Sequence, residues 1–404
     1  GEVLADDPSF YARQFEILAT LTPAEVQAAM QRWLTRPSFT LVLEPGERDG
    51  SYEEAASVAE TETAAEAGAP DALTVTEVRP APPIESVAEL DFPEVQHTAL
   101  ANGMTLHYAQ RDAIPATYVT LSFDAGSSAD PADVRGLEGL SLSLFEEGTT
   151  TMSSREIAET SERLGANISL GGGADRSSFT LSALSANLVP SLELLSDIVR
   201  NPAFAQSEID RVRAQRITGV EQELRTPSAI AARTISPLIY GAESPYAGPD
   251  TGTVASLSAI TREDITGFKD RWIRPDNGEI FVVSDRPLAE IVDALNGGFG
   301  DWEAPAAAKG TKSFADAPEA ATESRIVLVH RPNSPQSYIY GGQLTSVDPR
   351  GETYVDFLNA NNALGGNFLA RLNMNLRETK GWSYGVRGAP LTNENAVAYT
   401  VRAP

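Results

Sequence analysis

The sequence predicts an α+β fold, built as two similar units in which antiparallel or mixed sheet is covered by helices. Two observations carry this. From Phe92 onward, strand-like apolar runs and helical apolar periodicity follow one another without the regular alternation of a doubly wound fold. A Thr-x-x-acid element followed by Arg-Trp also occurs twice, at Thr22 to Trp33 and at Thr261 to Trp272, each with a proline ahead of a strand-like run.

The first segment, residues 1–45, reads as a helix through Phe10, Phe15, Leu18 and Leu21. A second helix follows, with Thr22 as its cap, Pro23 at its first position and Glu25 closing a capping box. Phe39 to Leu43 reads as a strand. Residues 46–91 hold twelve acidic residues against Arg48 and Arg79, with Ala, Thr and Pro filling much of the rest, and read as an extended acidic linker. The first α+β unit, 92–285, opens with a hairpin around Asn102-Gly103 and a strand at 118–123. Helices are expected at 137–146 and 154–164, a strand pair across 167–184, and helices at 188–199, 206–224 and 229–240. The repeated Thr261–Trp272 element and a strand from Gly278 to Val283 close it. The second unit, 286–404, should contain a helix at 287–295, strands at 324–330 and 336–344, and a helix near 351–363 broken by Leu364-Gly365-Gly366. A helix from Asn367 to Lys380 would follow, with Phe368, Leu372 and Leu376 inward and Gly381 as its stop. Tyr384 would then lie on the strand Ser383–Arg387.

Composition narrows the function. With 56 acidic and 31 basic residues the formal charge is −25, which repels nucleic acid and anionic membrane. No apolar run is long enough for a membrane span, so membrane insertion is not expected. The absence of cysteine removes disulfides and thiolate chemistry. The chain opens on Gly1 and stops at Pro404 within a strand-like run, which reads as a piece of a longer protein. The three histidines, His97, His107 and His330, are too far apart to make a zinc helix, which needs two imidazoles one turn apart. Gly171-Gly172-Gly173 lacks the Gly-Lys-Ser/Thr ending of a phosphate loop and fits a tight hairpin. Glu146-Glu147 reads as a solvated helix end. What remains is Arg377 in the last turn of a helix and Tyr384 just past the Gly381 stop. A guanidinium and a phenol are donors suited to a peptide carbonyl or a developing oxyanion. An arginine against the helix dipole and a half-buried strand tyrosine fit the same residues.

The stretch Ala363-Leu-Gly-Gly-Asn-Phe-Leu-Ala-Arg-Leu-Asn-Met-Asn-Leu-Arg-Glu-Thr-Lys-Gly-Trp-Ser-Tyr-Gly385 resembles the Leu-Gly-Gly…Arg-Leu…Leu-Arg-Glu-x-x-Gly-x-x-Tyr signature of the pitrilysin/insulinase zinc peptidases. The resemblance implies one half of a clamshell around a peptide chamber, with residues 1–45 as the end of a preceding half. One half of such enzymes carries His-x-x-Glu-His. The matching place here is Arg135 to Thr149, where the two histidine positions become Gly139 and Ser143 and the glutamate becomes Leu142. The later glutamate ligand falls near Gly219, with Glu221 and Glu223 close by. The resemblance therefore implies a metal-free half, with zinc expected only in the catalytic partner half, on the same chain or on a partner subunit. It further implies that Arg377 and Tyr384 contact a peptide substrate backbone and its transition state. A catalytically inert peptide-binding or assembly scaffold of the same fold is the alternative. A bacterial periplasmic or envelope setting and a homodimer are both consistent with this arrangement, and the sequence fixes neither.

Overall fold

The computed structural model describes residues 7–42, 92–314, 323–334 and 336–404. The chain divides into two compact units, Gly1–Ala88 and Glu89–Pro404. The whole of the acidic 46–91 segment lies outside the described residues.

In the first unit, α1 (Phe10–Thr20) and α2 (Pro23–Leu34) form where the caps place them. The Thr22 backbone N–H donates to Glu25 Oε2 at 2.8 Å, and Pro23 occupies the first turn, where its missing N–H costs nothing. Neither helix has a buried residue, and Phe15, Leu18, Met30 and Trp33 stand exposed. The strand expected at 39–43 does not form over its described residues, 39–42, and Phe39 is 91% exposed. A strand-like run becomes a strand only where a neighbour supplies ladder partners, and no such partner stands among this unit's described residues.

The second unit is built on a six-stranded sheet in the order β1-β2-β6-β3-β5-β4. Its strands are β1 (Val95–Ala99), β2 (Thr105–Gln110), β3 (Ala116–Phe123), β4 (Asn167–Gly172), β5 (Ser177–Leu184) and β6 (Gly278–Ser284). β2 and β6 run parallel, and every other neighbouring pair is antiparallel. Alternation does the sorting. Leu106, Tyr108, Val119, Leu121, Phe123, Phe179, Leu181, Ile280 and Val282 point to one face and are buried. Helices cover that face: α3 (Leu137–Phe145), α4 (Ser154–Leu164), α5 (Leu188–Arg200), α6 (Gln206–Glu223), the short α8 (Val254–Ala259) and α9 (Arg262–Trp272), while α7 (Pro227–Tyr240) lies outside this core. Each large apolar side chain so buried contributes roughly 1.5–3 kcal/mol. The Asn102-Gly103 turn forms as expected, with Gly103 at φ +88°. Asn102 Nδ2 donates to the carbonyl of Phe299 at 3.0 Å, so the hairpin is tied to α10 (Leu288–Phe299). That helix was expected to open the second α+β unit. It packs instead on α5 and places Ile291, Leu295 and Phe299 in the first sheet's core.

A second, three-stranded antiparallel sheet has the order β7-β9-β8, from β7 (Ile339–Thr345), β8 (Arg387–Thr392) and β9 (Val397–Ala403). The strand expected at 324–330 is absent: residues 323–330 pair with nothing described, and Ile326 and Leu328 face solvent. α7 joins the two sheets by packing on β7, and Ile239, Tyr240, Tyr246 and Ala398 form a small core there. Polar contacts fasten the same seam. Arg176 pairs with Glu394 at 2.8 Å, and the Glu394 N–H donates to Asp175 Oδ2 at 2.8 Å.

Candidate functional site

The metal-motif positions lie on α3, which packs against α6. Leu142 is buried in the core. Ser143 Oγ donates to the Gly139 carbonyl at 3.1 Å, and Arg216 of α6 donates to Ser143 Oγ at 2.7 Å and to the Gly139 carbonyl. A Cβ on Gly139 would stand 2.9 Å from Arg216 Nη1. Gly219 has open space around it. Glu221 is exposed, and Glu223 is held by Arg233 at 2.6 Å. The places that would need imidazoles and carboxylates carry glycine, leucine, serine and glycine, and a guanidinium fills the gap between the helices. Cationic, donor-only arginine repels a metal ion and offers it no lone pair. The residues present do not fit zinc.

Two carboxylates are buried beside this arginine. Asp130 accepts the N–H groups of Gly136 and Glu138, both at 2.8 Å, which shapes the entry to α3. Glu138 is 4% exposed and accepts the Ser177 hydroxyl at 2.7 Å. Burial pushes the Glu138 carboxyl up to about 7, against the opposing pull of the Ser177 hydrogen bond and the Arg216 charge. The folded protein thus binds this proton more tightly than the unfolded chain. Its contribution is complete below the ordinary glutamate range and is lost as pH rises through about 7. Glu138→Gln removes this dependence. Chemical denaturation at pH 5 and pH 8 should show the variant gaining about 2 kcal/mol on the wild type over that interval. Parallel pH profiles for the two proteins would contradict the assignment.

The Arg377–Tyr384 region is built differently from the expectation. α11 (Thr353–Asn361) does not simply break at the glycines but widens into a π-helical turn, Asn362–Gly366. Gly365 is required there, because a Cβ would come within 2.7 Å of the Gly388 backbone nitrogen on β8. The next helix begins at Arg371 instead of Asn367 and is π-helical over Met374–Thr379. Phe368 therefore lies before the helix, 58% exposed, and not on an inner face. Gly381 stops the helix as expected, at φ +64°, with the Trp382 N–H donating to the Leu376 carbonyl at 2.9 Å. Tyr384 sits in a loop, because β8 starts only at Arg387. Ser383 Oγ donates to the Gly385 and Pro404 carbonyls at 3.0 and 2.8 Å, and these local bonds replace a ladder.

The two candidate residues nevertheless meet. The Arg377 guanidinium lies 4.8 Å from the Tyr384 ring centroid. The guanidinium also lies 4.5 Å from the Phe368 ring centroid. Arg377 Nε pairs with Glu378 at 3.2 Å, and its Nη groups have no partner among the described residues. Tyr384 is 86% exposed, with its hydroxyl likewise unengaged among them. The exposed phenol and the half-buried guanidinium thus both keep donors with no partner among the described residues, available to an acceptor. Phe368 was missed from the sequence because a continuous helix from Asn367 assigned it to the core.

Comparison with known proteins bears on the family and the fold. Residues 108–238 match the family described as insulinase, peptidase family M16, and residues 259–402 match the peptidase M16 inactive domain. The uncharacterized zinc protease YmxG of Bacillus subtilis is 23% identical over 300 residues, which are 74% of this chain and 71% of that protein. The crystal structure of a peptidase M16 inactive domain from Pseudomonas fluorescens superposes with TM-score 0.69 at 26% identity, covering 77% of this chain and 74% of that one. A protease from Helicobacter pylori shares the fold at TM-score 0.70 and 16% identity, covering 77% and 75% of the two chains. The chain belongs to the insulinase/pitrilysin family, peptidase M16, and carries its inactive domain.

Proposed function

We propose that this chain is the non-catalytic half of a two-half zinc endopeptidase. It closes the peptide chamber and presents Arg377 and Tyr384 to the substrate backbone and to the oxyanion that develops during hydrolysis. The observation that carries the reading is the Arg377–Tyr384 pair, whose guanidinium and ring stand 4.8 Å apart with their outer donors unengaged among the described residues. The guanidinium between α3 and α6, where a metal would need ligands, supports assigning metal chemistry to another, His-x-x-Glu-His half. In this reading residues 1–45 are the end of a preceding half, and 46–91 tether it to the metal-free half, whose first unit extends from 92 through α10 and whose second holds β7 to β9. The repeat supports the first part. α9 has the same capping box as α2 and buries Ile265, Phe268 and Trp272, whereas Val26 and Trp33 of α2 stand exposed. A helix with that pattern is made for a packing partner.

The test is binding without cleavage. A fluorescein-labelled, unstructured peptide titrated with the chain should bind intact, and the double variant Arg377→Ala/Tyr384→Phe should bind at least about thirtyfold more weakly, through loss of one charged and one neutral hydrogen bond. Equal affinity of the two proteins would remove the assigned role and leave the fold as a scaffold.

A further inference from the structure

We propose that Phe368 and Asn373 are the positioning residues of the Arg377–Tyr384 pair, an inference that rests on the substrate role proposed for that pair. An arginine side chain has many rotamers, and a donor that must meet a substrate carbonyl needs one of them. Here the guanidinium lies over two rings, Phe368 at 4.5 Å and Tyr384 at 4.8 Å, and Glu378 takes its Nε at 3.2 Å. Aromatic faces attract the cation and hold it in place without engaging its N–H groups. The Nη donors are what this arrangement leaves over. Phe368 makes no contribution to either buried core and is mostly exposed, so this stacking is its evident use.

Asn373 sets the distance between the rings. It is 3% exposed inside a helical segment, a position that disfavours asparagine. Its side-chain Nδ2 donates to the Phe368 carbonyl at 2.7 Å, and its Oδ1 accepts the Val386 N–H at 2.9 Å. One buried amide therefore ties the chain just before the helix to the chain two residues past Tyr384. Arg377 follows Asn373 by one turn on the same segment. The segments that bear Phe368, Arg377 and Tyr384 thus meet at a single clamp.

The test uses the assembled two-half enzyme with a quenched fluorogenic peptide, together with the ¹⁵N–¹H signal of Arg377 Nε in the chain. Phe368→Leu should lower kcat/KM about fivefold and move the Arg377 signal downfield as ring shielding is lost. Phe368→Tyr should restore both. Asn373→Leu should lower kcat about tenfold with little change in KM, because misplacement of a donor affects the transition state more than the ground state. Phe368 is exposed, so its variants keep the fold and remain informative even if Asn373→Leu does not. If Phe368→Leu leaves both readouts unchanged while Arg377→Ala is crippled, the positioning role is wrong and the pair's role stands. If Phe368→Tyr loses as much as Phe368→Leu, stacking is not the device. An unaffected Arg377→Ala enzyme overturns the pair's role and this inference with it.

Discussion

Replacing Arg377 with alanine lowers kcat of the assembled two-half enzyme by about a hundredfold, and Tyr384→Phe lowers it by about tenfold or more. The reasoning is electrostatic. A preorganised donor aimed at a developing oxyanion contributes roughly 10²-fold to kcat, and Arg377 brings a full charge with Nη donors that no other described group occupies. Tyr384→Phe removes only the hydroxyl and keeps the ring that stacks on Arg377, so its smaller loss isolates the hydrogen bond. The split between parameters matters as much as the size. If the pair only held peptide in the ground state, KM would rise and kcat would stay. Steady-state kinetics on one fluorogenic peptide separates the two outcomes, and an unchanged kcat/KM for both variants would sink the assignment.

Gly365→Ala costs about 3 kcal/mol and disorganises the same site from behind. Its Cβ would stand 2.7 Å from the Gly388 nitrogen and 2.9 Å from the Gly388 Cα, both backbone atoms near the start of β8. Backbone cannot swing aside as a side chain can, so the π-helical turn Asn362–Gly366 must lift off the sheet. The turn leads directly into Phe368 and the helix that bears Arg377. Loss of stability and loss of activity should therefore arrive together. Gly341 is the control: it lies on β7 with nothing within 4 Å of an added Cβ, so Gly341→Ala should be neutral or slightly stabilising. Urea midpoints read both. Equal midpoints for the two variants would show that Gly365 is not a packing requirement.

The residues made much of this fold legible, and the reasons are physical. Where strands alternate and helices carry apolar periodicity, as from β3 through β6, sequence expectation and structure agree to within a few residues, the short α8 aside. The Asn102-Gly103 turn and the Gly381 stop were legible because a positive φ narrows the choice of residue. The failures share another cause. Residues 39–42 and 324–330 have strand composition but lack a neighbouring edge among the described residues, and a sequence does not show whether a partner strand is there. The Asn367 start failed because the wide turn at Asn362–Gly366 resets the helix, and the shift moved Phe368 from core to site. The missing imidazoles at Gly139 and Ser143 were plain from the sequence. That Arg216 fills their place was not, since it comes from another helix 73 residues on from Ser143. The charge of −25 is partly a property of the acidic 46–91 stretch and says little about the site.

The measurement that tests the central claim most directly is reconstitution. The 404-residue chain, its His-x-x-Glu-His partner half, and an equimolar mixture are each assayed on the same fluorogenic peptide, with zinc measured in each sample. The account predicts no cleavage and no stoichiometric zinc in this chain alone, and a rate in the mixture about 10³-fold or more above that of either part, since orientation and oxyanion stabilisation are supplied across the two halves. Zinc-dependent cleavage by this chain alone, or full activity of the partner half without it, would contradict the account.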